Sequence, residues 1–219
     1  MDTRNPEPIA RRALRAAAVL ATAAIAAVGL VALVHDLARP HIEAAQRAQR
    51  VAQLTAMLGG LAYDNDPLAD TVMLRDPELL GSDEPLAAYR VRRDGATVAV
   101  LVNAVAPEGY GGPIRLLIAV DAGGRLLGVR VLEHRETPGL GDPIEERRSD
   151  WIHGFDGRSL DDPPRARWQV RKDGGDFDQF TGATVTPRVI VRAVRGTLEY
   201  VERHRAELFG GPAAATSPP

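Results

Sequence analysis

The chain has 219 residues, with 27 Lys+Arg against 29 Asp+Glu and no cysteine. That length accommodates one membrane span and one domain of ordinary size. The balanced charge leaves no basic footprint for nucleic acid, and the absence of cysteine excludes a disulfide framework, a thiolate zinc site and a cysteine-ligated iron–sulfur cluster. Redox chemistry would therefore have to be borrowed from an organic cofactor or haem, and no C-x-x-C-H is present to attach a haem. The five histidines (His35, His41, His134, His153, His204) share no paired helical spacing, so they read as surface or structural residues rather than metal ligands.

Residues 1–15 form a polar tail with Arg4, Arg11, Arg12 and Arg15. Ala16 to Val34 then runs for nineteen residues without a charge. As a helix rising ~1.5 Å per residue it spans ~28 Å, close to the ~30 Å hydrocarbon thickness. The run exceeds the ~7–15-residue core of a signal peptide. It ends in His35-Asp36-Leu37-Ala38-Arg39-Pro40, a poor cleavage site. An uncleaved transmembrane helix over 16–36 is expected. The arginines before it place the N-terminus in the cytoplasm and the remainder outside. Its many alanines permit close approach to other membrane helices, which points to a larger membrane complex.

Pro40 ends the span, and a stalk helix is predicted over 41–59, terminated by Gly59-Gly60. Ala44, Ala48, Val51, Leu54 and Leu58 give it one face to dock on a domain spanning 60–209. Residues 62–85 read as irregular structure around one short helical or extended segment. Two hairpins follow: Ala88 to Arg93 with Ala96 to Val105 around Asp94-Gly95, and Ile114 to Val120 with Arg125 to Leu132 around Asp121 to Gly124. The glycine-rich segment Pro107 to Pro113 between them matches no phosphate-binding pattern. Locally joined strands imply an antiparallel sheet with packed helices, an α+β fold. Beyond it, a short helix opens at Pro143 with Asp142 as cap, Trp151, Ile152 and Phe155 form an apolar face, and Trp168 to Arg171 reads as a short strand. Residues 210–219 are Gly/Pro/Ala/Ser-rich and read as a disordered tail.

The last helix is expected from Arg188, with Val191, Val194, Leu198 and Val201 on its apolar face, Pro187 in its first turn and Thr186 as N-cap. Thr181 and Gly182 are turn-prone. Thr184 lies just upstream of the helix, where free N–H groups and the positive dipole end favour a phosphate. A capped helix without a ligand accounts for the same residues.

Asp178-x-x-Thr181-Gly182-Ala183-Thr184 resembles the flavinylation motif of the FMN-binding domain family, and Glu133 through Gly141 resembles that family's E-T-P-G-L-G loop. Tyr110, Pro113 and Ile114 fit its G-Y-x-x-P-I segment. Both motifs, behind one N-terminal span, are similar to the G subunits of Rnf ion-translocating electron-transport complexes. The C subunit of the sodium-pumping NADH:quinone reductase is a more distant relative. The resemblance implies FMN joined through its phosphate to Thr184 by a separate flavin transferase, with Asp178 serving recognition or metal-assisted transfer. It implies that Thr181, Gly182 and Ala183 leave room for the phosphate and ribityl chain. Glu136, Thr137, Gly139, Leu140 and Gly141 would line the flavin, with Thr137 and backbone N–H groups bonding its polar edge. It implies neither a catalytic residue nor a metal ligand in this chain. It places the protein in the bacterial inner membrane, single-pass, with a periplasmic domain. Its partners would form a six-subunit complex coupling electron transfer between NADH and ferredoxin to Na⁺ or H⁺ movement. The alternatives are a role like the quinone-reductase C subunit, or a non-enzymatic anchored scaffold.

Overall fold

The computed structural model describes residues 54–210 without a break, together with scattered positions between 17 and 42. The described positions of the expected 16–36 span are helical. Among the described residues no helix is long and apolar enough to cross a membrane. Much of that span, most of the expected stalk and the tail 211–219 lie outside the described residues. The chain divides into two units, Met1–Arg50 and Val51–Pro219; the architecture below is that of the second.

Five strands, β1 (Thr71–Leu74), β2 (Leu86–Arg93), β3 (Ala96–Ala106), β4 (Ile114–Asp121) and β5 (Leu126–Glu133), form one antiparallel sheet in chain order. Local chemistry sets the order. Asp94 (φ 52°) and Gly95 (φ 79°) both take positive φ, the two-residue turn that matches strand twist. At the next hairpin the Asp121 carboxylate accepts the N–H groups of Gly123 (2.7 Å) and Arg125 (2.9 Å), closing the turn. The polar stretch before the hairpins holds both a strand, β1, and a short helix, α1 (Pro77–Leu80). Asp76 caps α1 through the N–H groups of Glu78 and Leu79, and Gly81 ends it at φ 72°.

Period-two alternation assigns the two faces. Val100, Val102 and Ala104 of β3 and Leu116, Ile118 and Val120 of β4 pack on one side against helix α2 (Val185–Arg203) and the rings of Phe155, Trp168 and Phe177. Ala99, Leu101, Leu117 and Ala119 face the other way and receive Leu54, Met57 and Leu58. Two positions of the expected docking face, Leu54 and Leu58, are thus buried on the sheet. A final helix, α3 (Arg205–Gly210), is tied down by Arg90, whose buried guanidinium donates to the carbonyls of Leu208 (3.1 Å) and Glu207 (2.9 Å).

Three local expectations are corrected. Residues 168–171 are no strand: single-turn 3₁₀ helices at Arg165–Arg167 and Arg171–Asp173 flank one isolated bridge, Val170 to Phe177. Asp142 lies inside a 3₁₀ turn (Asp142–Ile144) rather than capping it, because its carboxylate turns back to the N–H of Gly139 (2.6 Å). Helix α2 begins at Val185, two residues before the start that a Thr186 cap implies, so Thr186 sits in its first turn and Pro187 takes the third position, where an N–H has no intrahelical partner anyway.

Candidate functional site

The meander brings separate loops to one end of the sheet. β3 ends and β4 begins there (Ala106 opposite Ile114), and β5 leaves there (Arg115 opposite Glu133). The 107–113 loop and the 134–141 loop therefore emerge side by side. They approach so closely that a Cβ on Gly111 would lie 1.8 Å from the carbonyl oxygen of Arg135. Only glycine fits.

Glu136 joins these loops to α2. It is 5% exposed. One carboxylate oxygen accepts the N–H of Gly111 (2.9 Å), and the other accepts the hydroxyl of Thr186. Thr186 is therefore not an N-cap, because its hydroxyl is engaged with Glu136. His134 steadies the loop from behind. Its Nδ1 accepts the N–H of Glu136 (3.1 Å), so the neutral ring carries its proton on Nε2, which faces Glu145 (2.9 Å). Hydrogen bonds from Arg147 first, and from His134 second, hold the Glu145 carboxyl below its ordinary range.

Between the loops and the start of α2 lies a cleft of about 320 Å³, lined by Tyr110, Glu136, Thr137, Leu140 and Gly141 on one side and by Gly182 through Thr186 on the other. That size falls at the lower end of the ~300–1,000 Å³ usual for ligand sites. Tyr110 (75% exposed), Leu140 (49%) and Val185 (39%) present apolar surface around it. Thr184, the residue preceding the helix, has αR backbone angles (φ −82°, ψ −18°) and makes no side-chain capping bond. A capping side chain needs an extended backbone. Thr184 lacks one, and among the described residues its hydroxyl has no hydrogen-bond partner. The segment before it is a tight turn: the N–H of Ala183 donates to Phe180 (3.2 Å) across Gly182 at φ 83°. Trp151 anchors this turn, donating from Nε1 to the carbonyl of Asp178 (2.8 Å) and meeting the Phe180 ring edge-on at 5.3 Å.

Of the residues singled out from the sequence, Glu136, Thr137, Leu140, Gly141, Gly182, Ala183 and Thr184 meet at this cleft. Asp178, Thr181 and Gly139 stand outside its lining. Asp178 is exposed and paired with Arg171 (2.7 Å), so Arg171 is committed to a carboxylate. Three of the loop N–H groups that could have met a ligand are engaged within the loop. The N–H groups of Leu140 (3.1 Å) and Gly141 (3.0 Å) close on the Thr137 carbonyl, and that of Gly139 closes on Asp142. Tyr110, Val185 and Thr186 are lining residues absent from the predicted set. Tyr110 had a motif to mark it; the other two had none.

An unengaged threonine hydroxyl beside small residues, two helix N–H groups and an apolar rim fit a phosphorylated, flat-ringed cofactor. Residues 109–199 match the FMN-binding domain family, and residues 3–57 match the RnfG N-terminal region. The fold and cleft are thus those of an FMN-binding-domain protein. The G subunit of the ion-translocating oxidoreductase complex of Pseudomonas aeruginosa is 52% identical over 205 residues, covering 94% of this chain and 96% of its own length. The proteins of the same name from Shewanella loihica (45% over 184 residues; 84% and 87% covered) and Vibrio vulnificus (44% over 183; 84% and 86%) are also similar. The chain belongs to this family of ion-translocating oxidoreductase complex G subunits.

Proposed function

We propose that this chain is a membrane-anchored electron carrier of an Rnf-type ion-translocating oxidoreductase complex, holding FMN as a phosphoester on Thr184. The observation that carries the reading is the unengaged Thr184 hydroxyl at the mouth of a cleft built from both flavin-family motifs. FMN, when bound, supplies reversible one- and two-electron transfer.

The chain's own groups hold and shape. Pro187 has no N–H, so the first turn of α2 offers the N–H groups of Val185 and Thr186 to a phosphate. Gly182 and Ala183 let that phosphate approach the backbone, while Tyr110, Leu140 and Val185 cover a ring. Thr137, exposed in the cleft lining, is assigned to bond the ring's polar edge. No histidine or lysine adjoins Thr184 in sequence. Activation is therefore assigned to a separate flavin transferase acting on FAD. The Thr184 Oγ–phosphorus bond forms, the FAD phosphoanhydride breaks, AMP leaves, and the hydroxyl proton is released. Asp178 and its Arg171 partner, exposed beside the turn, are accessible to such an enzyme.

Residues 16–36 are assigned as the span, with a cytoplasmic N-terminus and a periplasmic domain, and the other five subunits of the complex as partners. Na⁺ or H⁺ movement belongs to those partners. The relatives' common name favours this assignment over the quinone-reductase C subunit. The test uses protein produced with its transferase. A flavin-fluorescent band should survive denaturing electrophoresis, and the tryptic peptide 173–188 should carry FMN. That peptide holds three threonines, so fragmentation must place the group. Thr184→Val should abolish both signals. Flavin retained by Thr184→Val refutes the assignment.

A further inference from the structure

Glu136 has a second property that hydrogen bonding alone does not require. It is the single charged side chain lining the cleft, it is nearly inaccessible to water, and no ion pair to it exists among the described residues. Arg148 is paired with Asp142 (3.4 Å), Arg147 with Glu145 and Arg192 with Glu108 (2.9 Å), while Arg135, the chain neighbour, is exposed and makes no ion pair to Glu136 among the described residues. What balances the carboxylate is dipolar: the Gly111 N–H, the Thr186 hydroxyl and the positive end of α2. The Gly111 N–H donates to one carboxylate oxygen and the Thr186 hydroxyl lies against the other. A buried charge without a counter-charge projects its field into the adjacent low-dielectric space, where water screens it little.

We propose that the Glu136 carboxylate lowers the reduction potential of a flavin seated in the cleft, so that the carrier works at a more negative potential than an uncharged cleft would give. An electron added to the ring brings negative charge towards a fixed negative charge, and that repulsion opposes uptake. The inference rests on the reading that the flavin ring occupies this cleft.

The test is a spectroelectrochemical titration of the full-length flavinylated protein in detergent. Glu136→Gln keeps the shape and removes the charge, its amide oxygen accepting the Gly111 N–H and its NH2 donating to the Thr186 hydroxyl, which can turn to accept. It should raise the midpoint potential, with a tenfold change in the electron-uptake equilibrium reading as ~59 mV for one electron. Glu136→Asp keeps the charge but is too short to reach both donors. It should stay near the wild-type potential, whereas a purely positional role makes the Asp variant shift as much as the Gln variant. Should Glu136→Gln not fold, Thr186→Val removes one of the donors that balance the carboxylate and should shift the potential in the negative direction. An unchanged or more negative potential in flavin-bearing Glu136→Gln, or an unchanged or more positive one in Thr186→Val, overturns the inference. Loss of covalent flavin in Thr184→Val is a separate result, so failure of the attachment reading is distinguishable from failure of this one.

Discussion

Gly141→Ala isolates the packing that holds Glu136 in place. Gly141 has φ −99° and ψ −17°, angles any L-residue adopts, so an alanine there meets no backbone penalty. The obstacle is space. The new Cβ would lie 2.7 Å from Glu136 Oε2, 2.8 Å from Glu136 Cβ and 3.2 Å from Thr186 Oγ1. Overpacking of this kind costs ~1–3 kcal/mol. Pushing Glu136 off its donors adds ~1.5–3 kcal/mol for a hydrogen bond to a charged group, and reduced freedom of the unfolded chain offsets ~0.4–1 kcal/mol. The expected net loss is therefore ~2–5 kcal/mol. Gly139→Ala is the control: φ is 78° and nothing lies within 4 Å of the added Cβ, so only the ~1–2 kcal/mol left-handed penalty applies. Urea unfolding of the full chain in detergent, followed by tryptophan fluorescence, reads both variants. The two tryptophans, Trp151 and Trp168, lie in the domain concerned. A Gly141→Ala protein as stable as Gly139→Ala or more so would refute the account of Glu136 as a tightly seated clamp.

Glu145 provides a pH test. Arg147 and then His134 depress its folded value, so its stabilising contribution is present above the ordinary glutamate range and fades as pH falls through the lowered folded value. Glu145→Gln should destabilise at neutral pH by up to ~1 kcal/mol, given the exposure of Arg147, and wild type and variant should converge in acid unfolding titrations. A gap that persists at low pH rejects the ionic explanation. Arg90→Met should cost ~1–3 kcal/mol by leaving the α3 carbonyls of Glu207 and Leu208 short of a buried donor, while Asp70 keeps its pair with Arg92 (2.6 Å). Hydrogen exchange should accelerate first at Arg205–Gly210; acceleration confined to β2 would contradict the tie between Arg90 and α3.

The sheet was legible because its order is written locally. Asp94-Gly95 and Asp121 to Gly124 each dictate a hairpin, and consecutive hairpins of alternating valines and leucines leave few other pairings. From those hairpins it also follows that the Tyr110 loop and the Thr137 loop share one sheet end. Thr184, Glu136 and Leu140 were found through motif, not pattern. What sequence spacing missed is what depends on long-range partners. Thr186 before proline has every local mark of an N-cap, yet Glu136, fifty positions away, holds its hydroxyl and lets the helix begin earlier. Residues 168–171 look like a strand, but Trp168 is drawn inward by carbonyls of Ser159 and Pro163, by stacking with Phe155 and by tilted ring contact with Phe177. Ring packing outweighs strand propensity there.

A tension at the start of α2 gives the proposed covalent bond a physical rationale. A helix N-terminus attracts an anion through its free N–H groups and dipole. Here that terminus already serves the Glu136 carboxylate through Thr186, and Pro187 removes one donor. A phosphate at Thr184 would meet a partly neutralised dipole and a nearby like charge, so non-covalent holding at this site would be weak. An ester bond removes the dependence on affinity, because a tethered group has a high effective concentration at the cleft however modest its contacts. The same carboxylate that weakens phosphate binding is the one placed to lower the flavin's electron affinity. Attachment through Thr184 would allow the cleft to keep that charge without losing its cofactor.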